Sequence, residues 1–179
     1  MRRVSPFLVL TGAAAVLLGA CGRVDAPPPP PRPAPIPAPV EGRPMSAPAY
    51  VAEASSIDLL IIQASELAAS RSSNSNIRDL AAMLVRDHRG TSAQMSFAGR
   101  RVNLLPSATL SVGHRAVLDQ LAATGDFDSS YVTQMVRIHE RGLQLHSDYL
   151  RRGDSPTLKP VAEMVAPVMR RHLDRLRGL

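Results

Sequence analysis

Three histidines lie on predicted helices, two of them beside methionines at spacings that could place both side chains on one face. His139 follows Met135 by four residues, and His172 follows Met169 by three. Residues three or four apart are neighbours on a helix surface, and His88 lies on the apolar stripe of its own segment. Thioether and imidazole groups together suit a soft ion such as Cu(I). The pattern is therefore compatible with a copper site formed by the three histidines with Met135 and Met169.

A di-iron carboxylate centre is disfavoured by the same residues. Such centres in helical bundles need the motif Glu-x-x-His on two helices. The positions three before the histidines are Val85, Val136 and Met169, and none of them is a carboxylate. Ferroxidase or manganese catalase chemistry is therefore not expected.

A purely structural role for the histidines is the competing interpretation. Methionines fill gaps in cores, and each histidine could hydrogen-bond a carboxylate such as Asp87 or Asp128. Pro167 cannot donate to the preceding turn, which predicts a kink in its helix that turns His172 toward the bundle.

Two further histidines are expected to lie outside any site. His146 follows His139 by one heptad and is predicted to be a satisfied interface residue, whereas His114 is predicted to lie on the surface. No phosphate-binding glycine loop or nucleophile elbow is present, and one cysteine allows no internal disulfide. The sequence indicates no reaction and leans away from an enzyme.

The N-terminus is typical of a bacterial lipoprotein signal peptide over residues 1–20. A short positive start precedes an uncharged, mostly apolar stretch from Val4 to Leu18, and small residues precede Cys21. The string Leu-Leu-Gly-Ala-Cys resembles a lipobox, which implies cleavage before Cys21 and lipidation of its sulfur. Gly22 is not the aspartate of an inner-membrane retention signal. We therefore expect an outer membrane lipoprotein that faces the periplasm, with the inner membrane less favoured.

Residues 21–49 are predicted to be the lipidated cysteine followed by a proline-rich, disordered tether. Eleven of the sixteen prolines lie between residues 27 and 48, where the missing N–H groups and fixed φ angles exclude helix and sheet. The expected partner is thus the lipid bilayer through this N-terminal anchor.

The charge of the chain excludes one class of partner. The 21 basic and 15 acidic side chains leave a net charge of +6, but the basic residues are spread along the chain and aromatics make up only 3%. No basic run interleaved with aromatics suggests a nucleic-acid surface. An envelope protein or polysaccharide partner remains compatible with this weak positive charge.

Residues 50–179 are predicted to form an all-α domain. Apolar residues at spacings of three and four predict four long amphipathic helices, with a short extra helix before the third. These helices cover residues 50–70, 76–99, 111–123, 127–150, and a last one that opens at Pro156 and ends near residue 175. An antiparallel four-helix bundle is the arrangement that buries every stripe.

Short segments in three of these helices carry a family resemblance. Met83–His88, Phe127–Tyr131, Met135–Glu140 and Arg171–Leu173, together with Pro167, resemble the ferritin-like domain-of-unknown-function family 4142. The resemblance spans residues 50–179 and implies a ferritin-like four-helix bundle in secreted proteins or lipoproteins. It implies no established activity.

Two details of this resemblance bear on a metal site. Gln63 occupies a position that is usually glutamate in such proteins, which weakens any carboxylate site there. The stretch Phe127–His139 is also similar to a periplasmic family in which Met and His pairs are associated with copper. Two hypotheses remain: a tethered, non-catalytic envelope bundle, and a periplasmic metal-binding protein.

Overall fold

The computed structural model describes residues 45–179, so the signal peptide, Cys21 and most of the predicted tether lie outside the described residues. Five helices follow in order: α1 (Ala47–Arg71), α2 (Ser75–Arg100), α3 (Val112–Ala123), α4 (Phe127–Arg152) and α5 (Lys159–Leu176). The all-α fold with a short helix before the third long one is confirmed. Within residues 45–179, no helix is both long and apolar enough to span a membrane.

The helix ends follow from local sequence, with one correction. Pro48 lies in the first turn of α1, and the Asn74 side chain accepts a hydrogen bond from the Asn76 N–H to cap α2. The prediction that Pro156 opens the last helix is wrong. Residues 156–158 form a turn, and α5 begins at Lys159 with Pro160 in its first turn, a position that also tolerates a missing N–H group.

The four long helices form two hairpins that pack side by side. The most extensive contacts join α1 to α2 and α4 to α5, and α1 also packs on α4 while α2 packs on α5. A single parallel bridge joins Met45 to Gly153, so the start of α1 lies beside the end of α4. We call this end of the bundle, with the end of α2 and the start of α5, the basal end. Neighbouring long helices are therefore antiparallel.

The short helix α3 belongs to the crossover between the two hairpins. The Arg71 guanidinium, at the end of α1, donates to the carbonyl oxygens of Leu121, Ala122 and Thr124 and lies 4.8 Å from the centre of the Phe127 ring. The last turn of α3 and the first turn of α4 thus lie at the end of the bundle opposite the basal end. This single long crossover is typical of ferritin-like bundles.

Candidate metal centre

The register of the helices brings four polar side chains to the same level of the bundle. Each lies eleven to thirteen residues from the basal end of its helix, or roughly 17–20 Å at 1.5 Å per residue. They are Asp58 in α1, His88 in α2, His139 in α4 and His172 in α5. All four are buried.

His88 is held by a carboxylate from the neighbouring helix. Its Nδ1 donates to Asp58 Oδ1 at 2.8 Å. The second oxygen of Asp58 accepts from the hydroxyls of Thr91, at 2.9 Å, and Ser92, at 3.0 Å. This buried carboxylate is therefore fully hydrogen-bonded, as burial of a charge requires, and it leaves Nε2 of His88 directed away from α1.

His172 is held in the same manner by Asp87, one of the two carboxylates that the sequence suggested as histidine partners. Its Nε2 donates to Asp87 Oδ2 at 3.1 Å, and the Asp87 side chain is 31% exposed. Burial and the nearby His88 lower the pKa of His172 to about 4, against the opposing effect of Asp87. Burial raises the pKa of Asp87, but the hydrogen bond and charge of His172 and the charge of Arg86 outweigh it, so the net shift is downward.

His139 presents a free lone pair to the same space. Its Nδ1 donates to the backbone oxygen of Met135 at 2.7 Å, and its Nε2 is buried with no hydrogen-bond partner among the described residues. Burial and the neighbouring histidines lower the pKa of His139 well below its usual value, so the ring is neutral near pH 7. A neutral imidazole with one nitrogen engaged has the state required of a metal ligand.

The three rings converge. One ring nitrogen from each of His88, His139 and His172 lies within 4.8 Å of the others. Nε2 of His88 lies 3.1 Å from Nδ1 of His172. Because the other nitrogen of each ring already donates to a carboxylate, both facing nitrogens carry lone pairs unless a proton or a cation lies between them. The arrangement is a set of three nitrogen donors, each on a ring whose other nitrogen is hydrogen-bonded.

The two candidate methionines are buried, but the described contacts assign neither sulfur to the three rings. Met135 contacts His139 through its backbone oxygen. A Cβ at Gly142 would lie 2.8 Å from Cε and 3.0 Å from Sδ of Met169, so the thioether of Met169 packs against the backbone of α4 at this glycine. Both side chains fit the gap-filling role of methionine in cores.

The two remaining helix-borne histidines are both buried. His114 was predicted to lie on the surface, and this is wrong: it is buried, and its Nδ1 lies 2.6 Å from Ser56 Oγ. His146 contacts Tyr50 Oη through Nδ1 at 2.9 Å, but its Nε2 has no partner among the described residues, so it is only partly satisfied. Burial lowers the pKa of both rings, that of His146 to about 4.

The residues predicted to have structural roles are Asp87, Asp128 and Pro167, and only one of the two carboxylates contacts a histidine. Asp87 contacts His172, whereas Asp128 hydrogen-bonds no histidine within residues 45–179 and lies in the first turn of α4 with Oδ1 buried and unpartnered. Pro167 lies inside α5, one turn before His172.

Sequence reasoning missed Asp58, although a carboxylate at a core position between Ile57 and Leu59 was a readable signal.

Fold and site define a four-helix bundle with three histidines gathered in its core. Residues 32–179 match the family described as Domain of unknown function (DUF4142), and the chain belongs to this family. No curated protein matches the chain.

Solved structures of one other protein share the fold. The structure named CopM in the Cu(II)-bound form has a TM-score of 0.64 and 16% identity, and the alignment covers 75% of this chain and 95% of CopM. The silver-bound form has a TM-score of 0.61 and 14% identity, with 75% and 94% covered. The Cu(I)-bound form has a TM-score of 0.55 and 16% identity, with 70% and 93% covered.

Proposed function

We propose that the bundle binds a single metal ion, with copper as the favoured ion, at His88, His139 and His172. The observation that carries the proposal is the convergence of three imidazole nitrogens in the buried core, one of them an unpartnered lone pair on His139. Orphaned buried polar atoms are uncommon in native proteins. A bound cation would satisfy all three nitrogens at once.

The geometry fits a trigonal site after a small adjustment. Metal–nitrogen bonds of about 2.0–2.1 Å place the nitrogens of a trigonal site about 3.5 Å apart. Nitrogen atoms that now lie within 4.8 Å need to close by about 1.3 Å at most, and the His88–His172 pair at 3.1 Å needs to open slightly. Histidine ligands typically donate their second N–H to a carboxylate or a backbone carbonyl. Asp58, the Met135 carbonyl and Asp87 supply these acceptors.

The chemistry of the donors favours copper over harder ions. Three imidazoles without a carboxylate ligand suit copper or zinc, whereas magnesium, calcium and manganese prefer oxygen. The fold is shared with a protein whose structures were solved with copper and silver ions, which supports copper over zinc. Zinc is the competing ion.

Titration of metal-free protein with Cu(I), and with Ag(I) as a redox-inert analogue, tests the site. We expect one ion per chain by elemental analysis after dialysis. A free-ion concentration 100 times Kd should raise the free energy of unfolding by about 2.7 kcal/mol. His139→Ala should abolish both effects. His146→Ala is the matched control, because it removes a buried imidazole from the same helix but should leave the ion bound.

Two results would contradict the proposal in different ways. Tighter binding of Zn²⁺ than of Cu(I) at the same three histidines would replace copper with zinc. Metal binding that survives His139→Ala, or no binding at all, would indicate that the histidines have a structural role only. In that case each alanine variant should lower the free energy of unfolding by about 1–3 kcal/mol, with or without metal.

We further propose that the bundle is a non-catalytic envelope lipoprotein anchored through Cys21. The proposal rests on the Leu18-Gly19-Ala20-Cys21 junction after an uncharged apolar stretch, and stable anchoring requires more than one acyl chain. We expect intact mass of the mature protein to show an acylated Cys21 as the first residue, and Cys21→Ser to block processing. An unacylated N-terminus at another residue would refute the anchor.

A further inference from the structure

Large apolar side chains are exposed mostly toward one end of the bundle. Six large apolar residues are exposed within residues 45–179. Leu179 is the last residue of the chain, beyond the end of α5. Phe97, Leu150 and Met164 lie in the basal turns of the long helices, Leu105 lies in the segment that links α2 to α3, and Val112 is the first residue of α3.

Two of these side chains share a groove across the basal end. Phe97, near the end of α2, is 59% exposed, and Met164, near the start of α5, is 40% exposed. Both line a depression of about 210 Å³ whose other walls include Arg101 and Pro160. The two side chains therefore form one small apolar patch at the basal end.

The same end carries cations outside ion pairs. Arg100, Arg101 and Lys159 form no salt bridge within residues 45–179, whereas Arg151 and Arg152 are both paired with Asp148. Two further acids, Asp154 and Glu163, lie in this part of the chain. The five basic residues therefore outnumber the three acidic ones, and an excess of cations beside exposed apolar groups is the combination that binds anionic lipid surfaces.

The chain also reaches the bundle at this end. Met45, the first described residue, pairs with Gly153, only a few residues before the groove residue Pro160. The segment between Cys21 and Met45 therefore joins the bundle beside the apolar and basic surface. We propose that the basal end is a membrane-docking face that rests on anionic lipid headgroups, with Phe97 and Met164 inserted at the interface.

Docking complements the proposed anchor but does not require the acyl group, so the test uses a chain without it. Residues 22–179, produced without a signal peptide, keep the whole segment before the bundle. We expect them to float with vesicles of phosphatidylglycerol and phosphatidylethanolamine, to bind phosphatidylcholine vesicles weakly, and to dissociate as salt rises.

Substitutions of the apolar and the basic residues at the basal end test whether this face binds the vesicles. The double variant Phe97→Ser/Met164→Ser should lower the partition coefficient at least about tenfold, and Arg100→Gln/Arg101→Gln should lower it about fivefold for each charge removed. Leu179→Ser, an exposed apolar residue outside the face, should leave partitioning unchanged, and melting curves should show all variants folded.

Three results would overturn docking while leaving the lipidation of Cys21 and the metal site untouched. They are no flotation with anionic vesicles, equal loss in Leu179→Ser, and concentration-dependent dimerisation that Phe97→Ser/Met164→Ser abolishes. The last would make the face an interface between copies of this chain.

Discussion

We expect the metal-free protein to lose most of its stability as the pH falls from 6.5 to 4. Burial lowers the pKa of His146 and of His172 to about 4, and it lowers that of His139 well below its usual value. In the unfolded chain these rings titrate near 6.5. Below pH 6.5 the unfolded state therefore binds more protons than the folded state, and stability falls as the pH falls.

The effect is large enough to unfold the bundle. A histidine whose pKa is lowered from 6.5 to about 4 contributes on the order of 3 kcal/mol at neutral pH, all of it lost below pH 4. Two such residues together contribute about 6 kcal/mol, which reaches the lower end of the 5–15 kcal/mol total stability of an ordinary domain. Because the pKa of Asp87 is also lowered, its contribution is lost in the same direction at lower pH.

Denaturant unfolding in chelator at pH 7 and at pH 4.5 measures this loss. His146→Leu should reduce the pH dependence by about one proton per molecule, because it removes one of the depressed groups and leaves the three converging histidines in place. Lys159→Gln, at a partly exposed basal position, should not change it. Equal free energies of unfolding at both pH values would show that the rings are not held neutral.

The second large effect is expected at Asp58. Asp58→Ala removes the acceptor of three hydrogen bonds, from His88, Thr91 and Ser92, in the core between α1 and α2. Donors left unsatisfied in a core each cost about 1–3 kcal/mol. We expect a total loss of about 3–5 kcal/mol, because several buried donors lose the acceptor that they share.

A paired variant separates stability from ligand orientation. Asp58→Asn keeps one acceptor oxygen, so it should cost less stability than Asp58→Ala but still lower metal affinity about 10- to 100-fold, as changes to groups that orient ligands do. Asp79→Ala, at an exposed position of α2, should change stability by less than about 0.5 kcal/mol. Full metal affinity in Asp58→Asn would show that Asp58 does not orient His88.

The helices were predictable because their apolar periodicity is a local property of the chain. The Ser72–Ser75 cluster marked the break before α2, and the predicted start at residue 76 differs from the observed one by a single residue. The start of α5 was misplaced because Pro156 satisfies the same φ requirement in a turn as in a first helical position. Only the turn formed by residues 156–158 distinguishes the two.

The environment of the histidines was less predictable because it depends on which helices become neighbours. His114 lies on the same face of α3 as Leu121, seven residues on, but its hydrogen-bond partner Ser56 comes from α1, 58 residues earlier. Asp58 and His88 likewise meet only through the register of the α1–α2 hairpin. Asp128 is a carboxylate of the kind that accepts a hydrogen bond from histidine. It lies in the first turn of α4, however, at the other end of the helix from His146.

Because the three histidines come from both helical hairpins, metal binding at this site depends on the packing of one hairpin against the other. The α1–α2 hairpin contributes His88 alone, and the α4–α5 hairpin contributes His139 and His172. A chain in which the hairpins have formed but not yet docked can offer an ion at most two of the three nitrogens. An ion held by all three nitrogens would therefore distinguish a chain with docked hairpins from one whose hairpins have not yet docked.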